Sequence, residues 1–167
     1  MTSPARRILA VCGSLQAESS NLRLLTRMAE LELPGVQVEL SDQLRHLPHF
    51  NPDLLGEQVP PAVAAWQAAL AGCDGVLIAS PEYGHSLPGA LKNGIDWVIG
   101  SGELHQKVVA ITAAVRHPER GTRGLAALKQ TLLAVDARVV WDEPILLAGD
   151  VDGTLRRLVA AVLSTTA

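Results

Sequence analysis

Apolar positions along the chain fall into two kinds of segment that take turns. Short runs rich in β-branched residues occupy 8–12, 36–40, 75–79, 108–112 and 138–141. Between them, residues 22–33, 62–71, 88–99, 124–135 and 154–163 carry apolar side chains at helical spacing. The pattern predicts strand followed by helix, repeated about five times. The first, third and fourth runs are continuously apolar, as parallel strands covered on both faces must be, whereas 36–40 alternates like an edge strand. Such alternation gives a parallel sheet with right-handed crossovers and helices on both sides, a three-layer α/β sandwich. For five strands the expected order is 2-1-3-4-5, and ligands of such sheets bind beyond the carboxyl ends of the strands, where the order reverses between strands 1 and 3. The residues that matter for function therefore follow Cys12, Ala79 and Thr112. Residues 42–61 form a longer segment with prolines and histidines, expected to pack as a flap on the single domain 1–167.

Composition narrows the function classes. The chain has 167 residues, 48% hydrophobic and 19% charged, which is ordinary globular usage. A net charge of −3 excludes a broad basic footprint for nucleic acid or an anionic membrane surface, and 3% aromatic residues leave few platforms for stacking bases. No unbroken apolar run approaches the ~20 residues of a membrane span. Residues 1–7 run into an apolar stretch ending at Gly13 that is too short for a secretory signal. Cys12 and Cys73 lack CxxC spacing and read as a reduced pair. The expectation is a cytoplasmic protein. His46 and His49 are three apart without a third ligand at convincing spacing, so no metal is expected.

After the first strand comes Gly13-Ser14-Leu15-Gln16-Ala17-Glu18-Ser19-Ser20-Asn21, with a helix following. Gly13 permits a tight turn, and free N–H groups at a helix start suit an anion such as phosphate. Ser and Asn are equally ordinary N-caps. The spacing is neither Walker A nor GxGxxG, which argues against a nicotinamide Rossmann site. There is no Gly-x-Ser-x-Gly elbow, and Gly13-Ser14 stand where a phosphoacceptor domain would carry acidic residues. After the third strand comes Ser80-Pro81-Glu82-Tyr83-Gly84-His85-Ser86-Leu87-Pro88-Gly89. Its prolines and glycines impose a turned backbone, with Pro88 placed to start a helix. Tyr83, the only tyrosine of the chain, would cover a face of a flat heterocycle while backbone groups bond its edge. Gly94 within the next helix costs about 1 kcal/mol against Ala, which implies close packing against another helix or a second subunit. Trp97 reads as core or interface, and Asp96 as either a bond to loop amides or a solvated carboxylate.

Gly13-Ser14-Leu15 with Ser19 and Asn21, Pro81-Glu82-Tyr83, and Pro88-Gly89-x-Leu91-Lys92-Asn93-x-x-Asp96-Trp97 together resemble the NADPH-dependent FMN reductase family. This flavodoxin-like family includes quinone, chromate and azo-compound reductases, and the resemblance runs over almost the whole chain. It implies a flavodoxin-like FMN-binding domain that passes a hydride from NADPH or NADH through FMN to a small acceptor, in a ping-pong cycle. By the same resemblance, Ser14, Leu15, Ser19 and Asn21 would contact phosphate and ribityl. Pro81, Glu82, Tyr83, Gly84 and His85 would contact the ring, and Thr112 and Ala113 would flank it. It also implies a homodimer or homotetramer. No side chain is assigned as catalytic acid or base, because the cofactor carries the chemistry.

Two departures stand out. Gln16 occupies the position where the family often has Arg, and Glu18 lies close by. A charge-assisted bond is worth roughly 1.5–3 kcal/mol, so FMN would bind about tenfold to a hundredfold more weakly. The segment after strand 4 carries Arg116, Arg120 and Arg123 in place of a glycine-rich form. One of them is expected either to steer the 2′-phosphate of NADPH or to compensate for Gln16, a solvated basic loop being the plain alternative. Competing readings of the whole protein are a flavodoxin-like electron carrier and a non-catalytic FMN-binding relative.

Overall fold

The computed structural model describes residues 4–165. Residues 1–3 and 166–167, the ends of the expected domain and part of the N-terminal stretch weighed as a signal, lie outside the described residues. The strands are β1 (Arg6–Cys12), β2 (Val36–Ser41), β3 (Gly75–Ala79), β4 (Val108–Thr112), β5 (Ala114–Val115), β6 (Arg138–Trp141) and β7 (Ile145–Leu146). The helices are α1 (Ser20–Glu30), α2 (Pro61–Ala71), α3 (Gly89–Asp96), α4 (Thr122–Ala134) and α5 (Val151–Thr165). Five strands form one parallel sheet in the order β2-β1-β3-β4-β6. This is the predicted 2-1-3-4-5 order; the label shifts because the sequence pattern gave no sign of β5 and β7. Those two-residue strands pair with each other, parallel, as a separate ribbon beyond β4.

The apolar alternation sorts the core into two layers. Leu9, Val11, Val76, Ile78, Val109 and Ile111 face α2, α3 and α4, meeting Trp66, Leu91, Ile95 and Leu128. Their neighbours Ile8, Ala10, Leu77 and Ala110 face α1 and α5, meeting Leu25, Met28, Leu155 and Leu158. Central strands β3 and β4 are buried along their whole length, while β2 alternates between partly buried and exposed from Val36 to Glu39, as its sequence implies for an edge, and then leaves Leu40 exposed. Each fully buried aliphatic side chain contributes about 1.5–3 kcal/mol, so these two layers outweigh every surface ion pair.

The 42–61 segment packs as a flap, built from single-turn 3₁₀ pieces at Gln43–His46, Pro52–Leu54 and Gly56–Gln58. It explains Gly94. A Cβ there would come within 2.5 Å of Leu44 Cδ2, and the Gly94 carbonyl accepts from Trp66 Nε1 at 2.8 Å. The close partners are thus the flap and α2 of the same chain. The Pro48 carbonyl accepts from Asn93 Nδ2 at 2.9 Å and from Trp97 Nε1 at 2.8 Å. Asn93 Oδ1 takes the Phe50 N–H at 2.8 Å, and the Phe50 ring meets Trp97 edge-on at 5.2 Å. Trp97 is core, and Asp96 pairs with Lys92 at 2.6 Å rather than with a loop amide. Asn93→Ala removes two bonds that pin the flap. Stability should fall by about 1–2 kcal/mol in urea denaturation, with faster exchange of the Phe50 amide; wild-type exchange at Phe50 would show that the flap is held by other contacts.

Candidate functional site

The three loops singled out by the pattern start side by side. Cys12 pairs with Ala79, and Ala79 with Thr112, in register. The ladder continues one step further, with Gly13 N–H donating to the Ala79 carbonyl at 2.8 Å and Ser80 N–H to Thr112 at 2.9 Å. The loops after β1, β3 and β4 therefore leave the sheet as a row.

In the first loop Ser19 caps α1: its hydroxyl accepts from Leu22 N–H at 3.4 Å. The N–H groups of Ser20 and Asn21 have no acceptor within the helix, so the loop faces an anion-attracting end. Ser14 is buried, and its Oγ accepts from Gln16 N–H at 3.2 Å and lies 3.3 Å from the Tyr83 hydroxyl. Leu15 is 47% exposed. Glu18 does not face the loop uncompensated, because Arg23 holds its carboxylate at 3.2 Å and its carbonyl at 3.1 Å. Asn21, also buried, accepts from the Ala114 N–H at 2.9 Å. One side chain thereby ties the start of α1 to the loop after β4.

The second loop is a tight hairpin. Tyr83 and Ser86 exchange two backbone bonds of 3.0 Å. Between them Gly84 and His85 both take the left-handed conformation, φ 56° and 62°. Positive φ at both central residues is the signature of a type I′ turn, and at His85 it carries backbone strain. Tyr83 is left 52% exposed on this hairpin. The Glu82 carboxylate points the other way. It accepts from Gly124 N–H at 2.9 Å at the start of α4 and lies 3.2 Å from His85 Nδ1. Arg123 Nη1 sits 3.1 Å from His85 Nε2. The same Nη1 lies 3.2 Å from His85 Nδ1, so the guanidinium sits against both ring nitrogens.

Thr112 and Ala113 lie at the root of the third loop and are buried. The Thr112 hydroxyl donates to the Glu143 carbonyl at 2.8 Å, and the Ala113 carbonyl accepts from Ile145 N–H at 2.9 Å. Both hold the β7 segment against the site through groups already paired. The three loop arginines part company. Arg123 stands by His85, whereas Arg116 faces α1 and the start of α5.

Sequence reasoning missed Gly124. A Cβ there would lie 2.9 Å from Glu82 Cβ and 3.0 Å from its Cα, so α4 presses directly on the second loop. The signal was present as Gly121-Thr122-Arg123-Gly124, but a glycine early in a helix looks like a mere loss of propensity. Cys12 and Cys73 are both free and buried, and burial pushes the Cys73 thiol up.

The Gly124 N–H, and after it the hydrogen bond from His85, hold the Glu82 carboxyl below its ordinary value. The contact therefore stabilises the fold above the usual carboxylate range, and this contribution is lost as pH falls through the lowered value. Glu82→Gln should flatten the acid limb of a Tm–pH curve; an unchanged limb would mean that the bond to α4 adds nothing.

The model of the NADPH-dependent FMN reductase family matches residues 6–149. An NAD(P)H-dependent FMN reductase of Pseudomonas aeruginosa is 34% identical over 134 residues, covering 78% of this chain and 71% of the relative. A quinone reductase of Escherichia coli K12 is 29% identical over 146 residues, covering 86% and 77%. Among solved structures, a flavoenzyme NAD(P)H:(acceptor) oxidoreductase from Paracoccus denitrificans superposes with TM-score 0.72 at 24% identity, covering 97% of this chain and 96% of that one.

Proposed function

This chain belongs to the NADPH-dependent FMN reductase family, and we propose that the ledge formed by the loops after β1, β3 and β4 holds FMN for electron transfer from NAD(P)H to a small acceptor. The observation that carries this reading is the convergence of an anion-attracting helix start with a half-exposed Tyr83 on a rigid hairpin, joined by the Ser14–Tyr83 contact. The residues present fit the cofactor. Ser14, Leu15, Ser19 and Asn21 lie where phosphate and ribityl would sit, with the N–H groups of Ser20 and Asn21 free to donate. Pro81, Tyr83, Gly84 and His85 would meet the ring. Glu82, with its carboxylate committed to α4 and His85, would contribute through its backbone. Thr112 and Ala113 would flank the ring.

When bound, FMN supplies the hydride acceptance and delivery that no side chain of this chain can perform. The protein binds, orients and shields. The type I′ hairpin fixes the height of Tyr83, Gly124 sets how near α4 lies to that loop, and Asn21 fixes the distance between the first and third loops. The exposure of Tyr83 and Leu15 favours a flat acceptor stacking from solvent, a quinone, free flavin or azo compound, over a metal oxyanion, which has no face to stack. Ile99 and Leu133, each 56% exposed, support a homodimer or homotetramer. Two free, buried cysteines suit a cytoplasmic protein, and among the described residues no helix is long and apolar enough to cross a membrane.

Purified protein mixed with FMN and desalted should keep a flavin spectrum that NADPH bleaches under argon, without any partner reductase. A retained flavin that NADPH leaves unbleached would make it an electron carrier; no retained flavin and no NADPH oxidation with excess FMN would make it a non-catalytic relative. Light scattering on the same preparation reads the oligomeric state. Tyr83→Ala should weaken FMN by about tenfold, the worth of one aromatic stacking contact, in a flavin-quenching titration; an unchanged affinity would take Tyr83 off the ring.

A further inference from the structure

Arg116 stands apart from the other arginines of its loop. It lines a cavity of about 270 Å³ between α1 and the start of α5, together with Ser20, Arg23, Arg27, Leu147 and Val151. The volume lies just under the ~300 Å³ at which pockets begin to take whole small-molecule ligands, so it suits a fragment such as a phosphoryl group with its ester carbon. Three guanidinium groups border it. Arg23 is matched by Glu18 at 3.2 Å, and Arg27 by Asp152 at 2.6 Å, so these two bring donors without net charge. Among the described residues no carboxylate pairs with Arg116, which leaves the cavity with one uncompensated cation.

Two features hold Arg116 in place. Asn21 bonds the Ala114 N–H, and Leu147 N–H donates to the Val115 carbonyl at 2.9 Å, so the residues just before Arg116 are fixed against α1 on one side and the β5–β7 ribbon on the other. Ser20, which borders the cavity, is also the first residue of α1, so the cavity adjoins the anion-attracting end of the first loop.

We infer that this cavity is a phosphate-monoester site with Arg116 as its charged ligand. The inference rests on the FMN reading, because it needs a phosphorylated cofactor nearby. Two sources share the chemistry: the flavin's own phosphate, and the 2′-phosphate that separates NADPH from NADH. An arginine fork grips either one bidentately.

The test is Arg116→Ala in the full chain, with Arg116→Lys and Arg120→Ala beside it. Kd values for FMN and riboflavin come from flavin fluorescence quenching, and KM values from NADPH and NADH oxidation. If the flavin supplies the phosphate, Arg116→Ala weakens FMN by about ten- to a hundredfold, riboflavin binds as before, and Arg116→Lys recovers part of the loss. If the dinucleotide supplies it, KM for NADPH rises by a similar factor while KM for NADH and the FMN Kd stay put. Arg120, outside the cavity lining, should behave as wild type in both arms. Wild-type values throughout for Arg116→Ala overturn the inference, and so does a parallel loss of FMN and riboflavin, which would mark a structural role. Failure of the FMN reading is distinguishable, since the wild-type chain itself would then take up no FMN.

Discussion

Everything functional in this molecule depends on the lateral pairing of Cys12, Ala79 and Thr112 at the carboxyl edge of the sheet. Parallel strands point their ends the same way, and equal register makes those ends level. Three loops far apart in sequence are thereby delivered to one ledge before any side chain of theirs is considered. The two apolar layers hold that register: a one-residue slip would turn Leu9, Val11, Val76 and Ile78 to the opposite face and exchange the core sets.

Given that ledge, the local chemistry consists mostly of loops holding one another. Asn21 reaches the third loop, Glu82 reaches α4, and Ser14 meets Tyr83. Charge is handled in the same short-range way. The acidic Glu18 of the first loop is matched by Arg23 in the first turn of α1. The uncharged Gln16 therefore does not share its loop with a bare carboxylate.

Much of this was legible in the residues. Buried strands reveal themselves by continuous apolar runs, and a chain of strand–helix units admits few sheet orders, so β1 to β4 and their loops could be placed in advance. The short ribbon could not be. Ala114-Val115 and Ile145-Leu146 are two-residue segments, too brief for periodicity, and their pairing follows from where β4 and β6 end rather than from their own composition. The orientation of Glu82 was hidden for a related reason. Nothing in the loop after β3 names a partner for this carboxylate; only the position of α4 shows that Gly124 N–H donates to it. Gly94 lay between these cases: its cost announced close packing, but only the path of the flap identified Leu44 as the neighbour.

The flap is fastened along its first half. Leu44 is buried against α3, and Pro48 with Phe50 docks on Asn93 and Trp97, whereas residues 51–58 have no buried side chain. Lengthening so loosely held a stretch is cheap, since doubling a loop adds only about 0.6 kcal/mol of closure entropy. Residues 51–58 can therefore accept insertions at little cost to the sheet and its three loops. The outer half of the flap is thus the part of this chain where a new length of backbone would disturb the packed layers least.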